Sequence, residues 1–223
     1  MFPLAGTDAH DTYAVSERRD LHSSPAIHAA GQRLFALGGV GPGDVDHLDL
    51  YSCFPSAVQV GAQELGFDEE RELTVTGGLP FAGGPLNNYV THSIATMVER
   101  LRRNPGSLGM VTANGGFLTK HAMALYSTTP SERGFVWADV QDVVDAIPPT
   151  PVDEAFVGEG TIEAYTVMHD KAGPEVALIA VRTPGGARTW AQSRDTTTMD
   201  QMLAAEAIGL TASIADDGTF TLT

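Results

Sequence analysis

The apolar pattern of the chain changes period once, and the change falls on a proline-rich stretch. Before it, apolar residues recur every three or four positions: Ile27, Ala30, Leu34 and Leu37, then Ala57, Val58, Ala62 and Leu65, then Val90, Ile94, Met97, Val98 and Leu101. That is the period of helices burying one face. After it, the period is two, in TIEAYTVMH, EVALIAVRT, RTWAQ, LTASIA and TFTLT, as strands require. Between them lies IPPTPVDEAFVGEG, residues 147–160, which carries three prolines and suits neither pattern. The chain therefore reads as a domain over 24–146, a linker over 147–160 and a second domain over 161–223. Residues 1–23 show no periodicity and read as a loop-like N-terminal segment.

In the first domain Ser24-Pro25 is a helix start, with a hydroxyl N-cap and proline at the first helical position. Gly38-Gly39 stops that helix. HLDLY (47–51) and TVT (74–76) read as strands, Pro55 opens a helix that Gly66 ends, and Asn104-Pro105-Gly106 ends the helix after residue 90. GMVTA (109–113) and MALYS (123–127) read as further strands. The alternation of helix and strand predicts an α/β layer around a mainly parallel sheet. In the second domain, Thr198-x-x-Gln201 reads as a capping box for a helix through Ile208. Asp216-Asp217-Gly218 reads as a hairpin turn between the last two strands. Three strands, one helix and two strands is the element order of a small OB-like β-barrel.

Composition narrows the function classes. Of 223 residues 43% are hydrophobic and 18% charged, so a packed core is within reach and disorder is not expected. The net charge of −15 argues against a nucleic-acid surface. A single cysteine, Cys53, excludes an internal disulfide and fits a reducing, cytoplasmic setting. No apolar run reaches membrane-spanning length and the first residues do not read as a signal peptide, so no membrane association is expected. One cysteine and scattered histidines make no metal-ligand spacing.

The densest local signal is TVTGGLPFAGGPLNNYVTHSIATMVERL, residues 74–101: four glycines in two pairs, then a proline, two asparagines and an amphipathic helix. The phosphate-loop pattern GxxxxGK[ST] is absent. Pro80 and Pro85 interrupt any dinucleotide-binding fingerprint, and no acidic residue follows at a suitable strand end. The glycines either let the backbone approach a ligand or let a helix lie close to its neighbours.

This stretch resembles the thiolase segment NGGAIALGHPLGASGARI and the buried helix after it. YSCFPSAVQVGAQELG resembles the thiolase NEAFA segment, and TANGGFLTKHAMALYS resembles its CxGGG segment and last strand. Three segments in the right order over 24–127 identify the chain as similar to the C-terminal half of a thiolase-superfamily subunit, whose general activity is that of acetyl-CoA acetyltransferases. The terminal domain resembles the extra domain of a thiolase-like branch. The resemblance implies acyl-CoA, a coenzyme A thioester, as substrate or ligand, with no further cofactor. It also implies a thiolase first half or a partner chain to complete the layered core, and it allows an oligomer.

The resemblance also locates three departures. Tyr51 stands where the family has asparagine or histidine, Gly84 where it has the histidine of GHP, and Ala113 where it has the cysteine of CxG. Condensation needs a thiolate and a positioned base, and alanine and glycine supply neither. Tyr51 is a candidate for proton transfer, because some thiolase-like aldolases are similar in using tyrosines, or else an aromatic packing residue. His121 and, further from the matching loop, His92 are candidates to replace the lost histidine, or are hydrogen-bonded structural residues. Cys53 precedes a helix but matches neither family cysteine. Gly78, Gly83 and Gly84, together with Gly77, are expected against the acyl pocket. Asn88 and Asn114, with Asn87, are candidate donors to a thioester oxygen or turn caps. Three functions follow: a thiolase-like acyl-CoA-binding protein that has lost ordinary acyltransferase chemistry, a retro-aldolase-type carbon–carbon lyase using Tyr51, or a non-catalytic interaction module.

Overall fold

A computed structural model describes residues 1–223, which divide into two compact units: Met1–Tyr13 with His22–Ile147, and Ala14–Leu21 with Pro148–Thr223. In chain order the first unit holds β1 (Phe2–His10), α1 (Pro25–Gly38), β2 (His47–Asp49), α2 (Pro55–Leu65), the single turn α3 (Leu79–Ala82) and α4 (Tyr89–Arg103). It continues with β3 (Leu108–Gly115), β4 (Lys120–Ser127), β5 (Val136–Asp139) and α5 (Gln141–Asp145).

Its five strands run in the order β2-β3-β4-β1-β5. The pairs β2–β3 and β1–β5 are parallel, while β3–β4 and β4–β1 are antiparallel. The sheet is thus mixed rather than mainly parallel, because β4 returns directly from β3 through a tight loop instead of a helical crossover. Thr74 makes one bridge to Asp49 and no strand forms at 74–76.

The expectation of a loop over 1–23 is corrected most clearly. Residues 2–10 form β1, an inner strand between β4 and β5. Its small residues carry no periodic apolar signal, and small size is what the position requires. A Cβ on Gly6 would stand 3.2 Å from the Phe135 ring, and Ala5 is fully buried beneath α1. Both pairing partners lie more than a hundred residues later in the chain, so local sequence could not announce them.

The helix starts are as the sequence indicates. Ser24 caps α1 by accepting from the Ile27 N–H at 3.1 Å, with Pro25 following, and α1 and α2 end on Gly39 and Gly66 in the left-handed conformation. Two clusters cover opposite faces of the sheet. Met110 joins Leu34, Leu48, Leu65 and Leu125 under α1 and α2, whereas its neighbour Val111 joins Met97 and Leu101 under α4.

The second unit holds β6 (Gly158–His169), β7 (Pro174–Arg182), β8 (Arg188–Ser193), α6 (Thr196–Ala204), β9 (Thr211–Ile214) and β10 (Phe220–Leu222). The strand order is β10-β9-β6-β7-β8 with every pairing antiparallel. Met199 and Met202 of α6 cover Ile162, Ile179 and Val181. The element order matches the OB-like expectation, but the sheet does not close into a barrel. β10 has three residues, and Thr219 just before it makes one bridge to Gln192 of β8. The free edge of β8 instead takes the proline-rich stretch: the Arg188 N–H donates to the Pro151 carbonyl at 2.8 Å and the Asp153 N–H to the Arg188 carbonyl at 2.9 Å. The helix cap is also corrected. Asp195, not Thr198, caps α6, accepting from the Thr198 N–H at 2.8 Å, and α6 ends at Ala204 rather than Ile208.

Arg188 organises this unit. Its side chain is fully buried, with Nε 2.9 Å and Nη2 2.8 Å from the two oxygens of Glu163. Its Nη1 donates to the carbonyls of Ser16 at 2.6 Å and Arg18 at 2.8 Å, so the segment 14–21 is part of this unit. Burial raises the Glu163 carboxyl, but the hydrogen bonds and charges of Arg188 and Arg182 outweigh it and hold it below its ordinary value.

Candidate functional site

Parallel neighbours end together, so the loops leaving β2 and β3 open at the same end of the sheet. The loop after β2 carries Tyr51, whose N–H donates to Thr112 Oγ1 at 2.9 Å. β3 carries Ala113 and Asn114 at its end, and register places Asn114 opposite His121 of β4. Tyr51, Thr112, Ala113, Asn114 and His121 line one narrow cavity of about 20 Å³, room for one water. Ala113, Asn114 and His121 also border an open groove of about 500 Å³ on the same unit, flanked by Asp8, His10, Lys120 and Asp139. The Ala113–Asn114 corner therefore borders both a narrow recess and an open groove.

The chemistry at this corner is polar but weak. Asn114 Nδ2 donates to Cys53 Sγ at 3.4 Å, while Asn114 Oδ1 is buried without a partner. Tyr51 packs edge-on against Tyr89, ring centres 5.3 Å apart. Burial, and secondarily the neighbouring Cys53, push the Tyr51 phenol above its ordinary value, so at neutral pH it is a proton donor rather than a base. His121 is buried, with Nε2 3.5 Å from Ser24 Oγ and 3.7 Å from Asp11 Oδ2. Asp11 accepts a very short hydrogen bond from Ser24 Oγ and one of 3.1 Å from the Ala26 N–H. His121 thus borders the cavity while its Nε2 faces the polar start of α1.

The glycine turn lies apart from that cavity. Gly78, Gly83, Gly84 and Asn88 line neither recess nor groove. Gly83, Gly84, Asn87 and Asn88 are exposed, and Asn88 Oδ1 accepts from Thr91 Oγ1 at 2.6 Å. His92 is exposed, 6.3 Å from the Tyr89 ring. Gly77 and Gly78 have φ of +80° and +85°, which a side chain would strain. Their reason is a bonded turn: the Gly78 N–H donates to Thr76 Oγ1 at 3.1 Å and the Leu79 N–H to Ser52 Oγ at 3.0 Å.

Beneath the turn lies a feature that sequence reasoning missed. Asp49, fully buried, accepts from Thr76 Oγ1 and from the Tyr89 hydroxyl, each at 3.3 Å, and those two hydroxyls are 2.6 Å apart. No cation offsets it. Burial drives its carboxyl up to about 6, opposed in part by hydrogen bonds from Thr76, Ser93 and Tyr89. Asp49 Oδ2 and Ser93 Oγ have no partner at normal hydrogen-bond geometry; the Ser93 hydroxyl acts on the carboxyl from just beyond it. Local sequence carried no signal for its burial, because in HLDLY polar and apolar residues alternate as in an ordinary half-exposed strand. No three His, Cys, Asp or Glu side chains converge as a metal ion would need, and no helix is long and apolar enough to cross a membrane.

Comparison with known proteins covers both units. Residues 7–128 match the family described as thiolase C-terminal domain-like, and residues 139–219 match the thiolase-like protein type 1 additional C-terminal domain. A curated relative, an acetyl-CoA acetyltransferase of Methanothermobacter thermautotrophicus, is 26% identical over 151 residues, covering 57% of this chain and 39% of its own length. The crystal structure of a monomeric SCP2-thiolase-like protein type 1 from Mycobacterium smegmatis superposes with a TM-score of 0.85 at 32% identity, over 98% of this chain and 49% of that one. The chain spans about half the length of that structure, and less of the curated relative.

Proposed function

Because this chain belongs to the thiolase superfamily, we propose that it binds an acyl-CoA thioester at the Tyr51–Ala113–Asn114 corner without carrying out ordinary thiolase chemistry. The observation that carries this reading is the content of the corner. The family resemblance puts a cysteine at Ala113, and a methyl group stands there beside the recess. An alanine offers no nucleophile, and Gly84, at the family's histidine position, is exposed and offers no base.

The groove beside the corner supports a binding role. It is large enough for part of an extended ligand, and Lys120 gives it one cation for a phosphate or carbonyl oxygen. The bound thioester completes its pocket with a thiolase first half, a partner chain or a second copy of this one. The retro-aldolase reading rests on Tyr51, and its raised phenol argues against a proton-abstracting role at neutral pH. It keeps a hydrogen bond to a thioester oxygen within the chemistry of Tyr51.

The test pairs calorimetry with an activity assay. Acetoacetyl-CoA titrated into the chain, alone and mixed with a thiolase first half, is expected to bind in at least the mixed sample. Thiolysis in the same samples is expected to stay at the level of a heat-killed control. Turnover above that control overturns the reading.

A further inference from the structure

A second cavity, of about 480 Å³, lies wholly in the second unit and shares no residue with the site above. Its floor is the outer face of β6, β7 and β8, where register sets Thr166 beside Leu178, Leu178 beside Gln192, and Ala180 beside Trp190. The β9–β10 turn walls one side, held there by the Gln192 N–H donating to the Gly218 carbonyl at 3.0 Å.

Two groups in this cavity are held in place. Trp190 is 46% exposed, yet its indole N–H donates to Ser16 Oγ at 2.9 Å. With that donor engaged, the indole offers a ligand its π system. Asp217 accepts from the Thr219 N–H at 2.9 Å and the Thr219 hydroxyl at 2.6 Å, both on Oδ1. These bonds hold its carboxyl below the ordinary range, so it is ionised at neutral pH with Oδ2 available.

The lining selects its ligand by charge. No lysine, arginine or histidine borders the cavity, so an anion finds no counter-charge. A purely apolar ligand would desolvate Asp217 without replacing its water. A planar cation on an apolar stem satisfies both groups: it stacks on the indole and its N–H fork meets the carboxylate, as guanidinium does better than ammonium. The cavity is open, with Leu178, Trp190, Gln192 and Asp217 all exposed. A free small molecule there would stay far from the near-complete burial usual for such ligands, whereas a side chain reaching in from a second surface would not. The net charge of −15 favours a basic partner at long range.

We propose that this groove receives an arginine side chain from a partner polypeptide, held between the indole of Trp190 and the carboxylate of Asp217. The proposal is independent of acyl-CoA binding. It is tested on the ¹⁵N-labelled full chain by following the Trp190 indole N–H resonance, identified among the two tryptophans by Trp190→Phe. The probe is the peptide acetyl-Gly-Arg-Gly-amide, with the citrulline peptide as a neutral isostere. A saturable shift is expected with the arginine peptide, with affinity about tenfold weaker for citrulline and about tenfold weaker in Asp217→Asn. Absence of a saturable shift, or equal affinity for citrulline, overturns the proposal. So does undiminished affinity in a folded Asp217→Asn; should that variant fail to fold, the citrulline comparison decides alone. Butylguanidinium, the same side chain without the peptide, is expected to compete with the peptide at this groove, and failure to compete overturns the assignment to the arginine side chain.

Discussion

The Tyr89 hydroxyl at the start of α4 donates to the carboxylate of Asp49 at the end of β2, 3.3 Å away and 40 residues earlier in the chain. This bond and the Thr76 hydroxyl tie three separate segments together around a carboxylate with no cation. Tyr89 also meets the Tyr51 ring, so the state of Asp49 bears on the candidate site.

Asp49 predicts the pH dependence of stability. Its folded value near 6 exceeds the unfolded 3.8, so the folded chain holds the extra proton between them. Stability therefore rises as pH falls through 6, levels below 3.8, and above 6 carries the cost of the buried charge, on the order of 3 kcal/mol. Asp49→Asn removes that cost and its amide can donate to Ser93 Oγ. Urea unfolding at pH 5 and pH 8 should show the variant gaining most at pH 8, by roughly 1–3 kcal/mol. An equal effect at both pH values would mean the carboxyl is not raised.

Arg188 predicts the opposite acid behaviour for the second unit. Glu163 is held below its ordinary value, so its contribution is present above the ordinary carboxylate range and is lost as pH falls through its folded value. Arg188→Met strips Glu163 of its closest partner and removes the donor to the Ser16 carbonyl, while the Arg18 carbonyl keeps only the Thr150 hydroxyl at 2.8 Å. A loss of about 3–5 kcal/mol is expected, read by urea unfolding of the second unit. A fragment 148–223 should melt below one carrying residues 14–21 fused ahead of it, since those residues accept from Arg188.

Glycines separate packing from binding. A Cβ on Gly109 would run into the buried Met97 side chain, so Gly109→Ala should cost about 1–3 kcal/mol. Gly84 is exposed, with only a Leu79 methyl 3.5 Å from an added Cβ. Gly84→Val should change stability by less than about 0.5 kcal/mol. Because the glycine turn lines neither recess nor groove, the same variant should leave acyl-CoA binding unchanged in calorimetry, and weakened binding at an intact melting temperature would place the turn at the ligand. A collapse of its melting temperature with affinity intact would make the turn structural.

The two-part periodicity and the capped helices were legible in the sequence because each is a local property: Ser24-Pro25, Gly39 and Gly66 act within one turn of where they stand. β1 was not legible, since Ala5, Gly6 and Thr7 owe their strand to partners at 122–125 and 136–138. Closure of the second sheet was not legible, because it depends on which distant segment pairs with the β8 edge, and there the proline-rich stretch bridges Arg188 while the last hairpin makes one bridge to Gln192. At the site, Tyr51, Ala113, Asn114 and His121 were named from motif positions and meet at one cavity. The exposed glycines and Asn88 do not reach it, because α3 carries the turn outward. Asp49 went unnamed because a buried acid between leucines looks like ordinary strand alternation.

The most direct test of acyl-CoA binding without thiolase chemistry is calorimetric titration of acetoacetyl-CoA into the chain mixed with a thiolase first half, comparing Ala113→Leu with the unaltered protein. Saturable binding that falls at least about tenfold in Ala113→Leu, with no thiolysis in either sample, is the predicted result. Binding unchanged by Ala113→Leu, no binding at all, or thiolysis by the unaltered protein would contradict it.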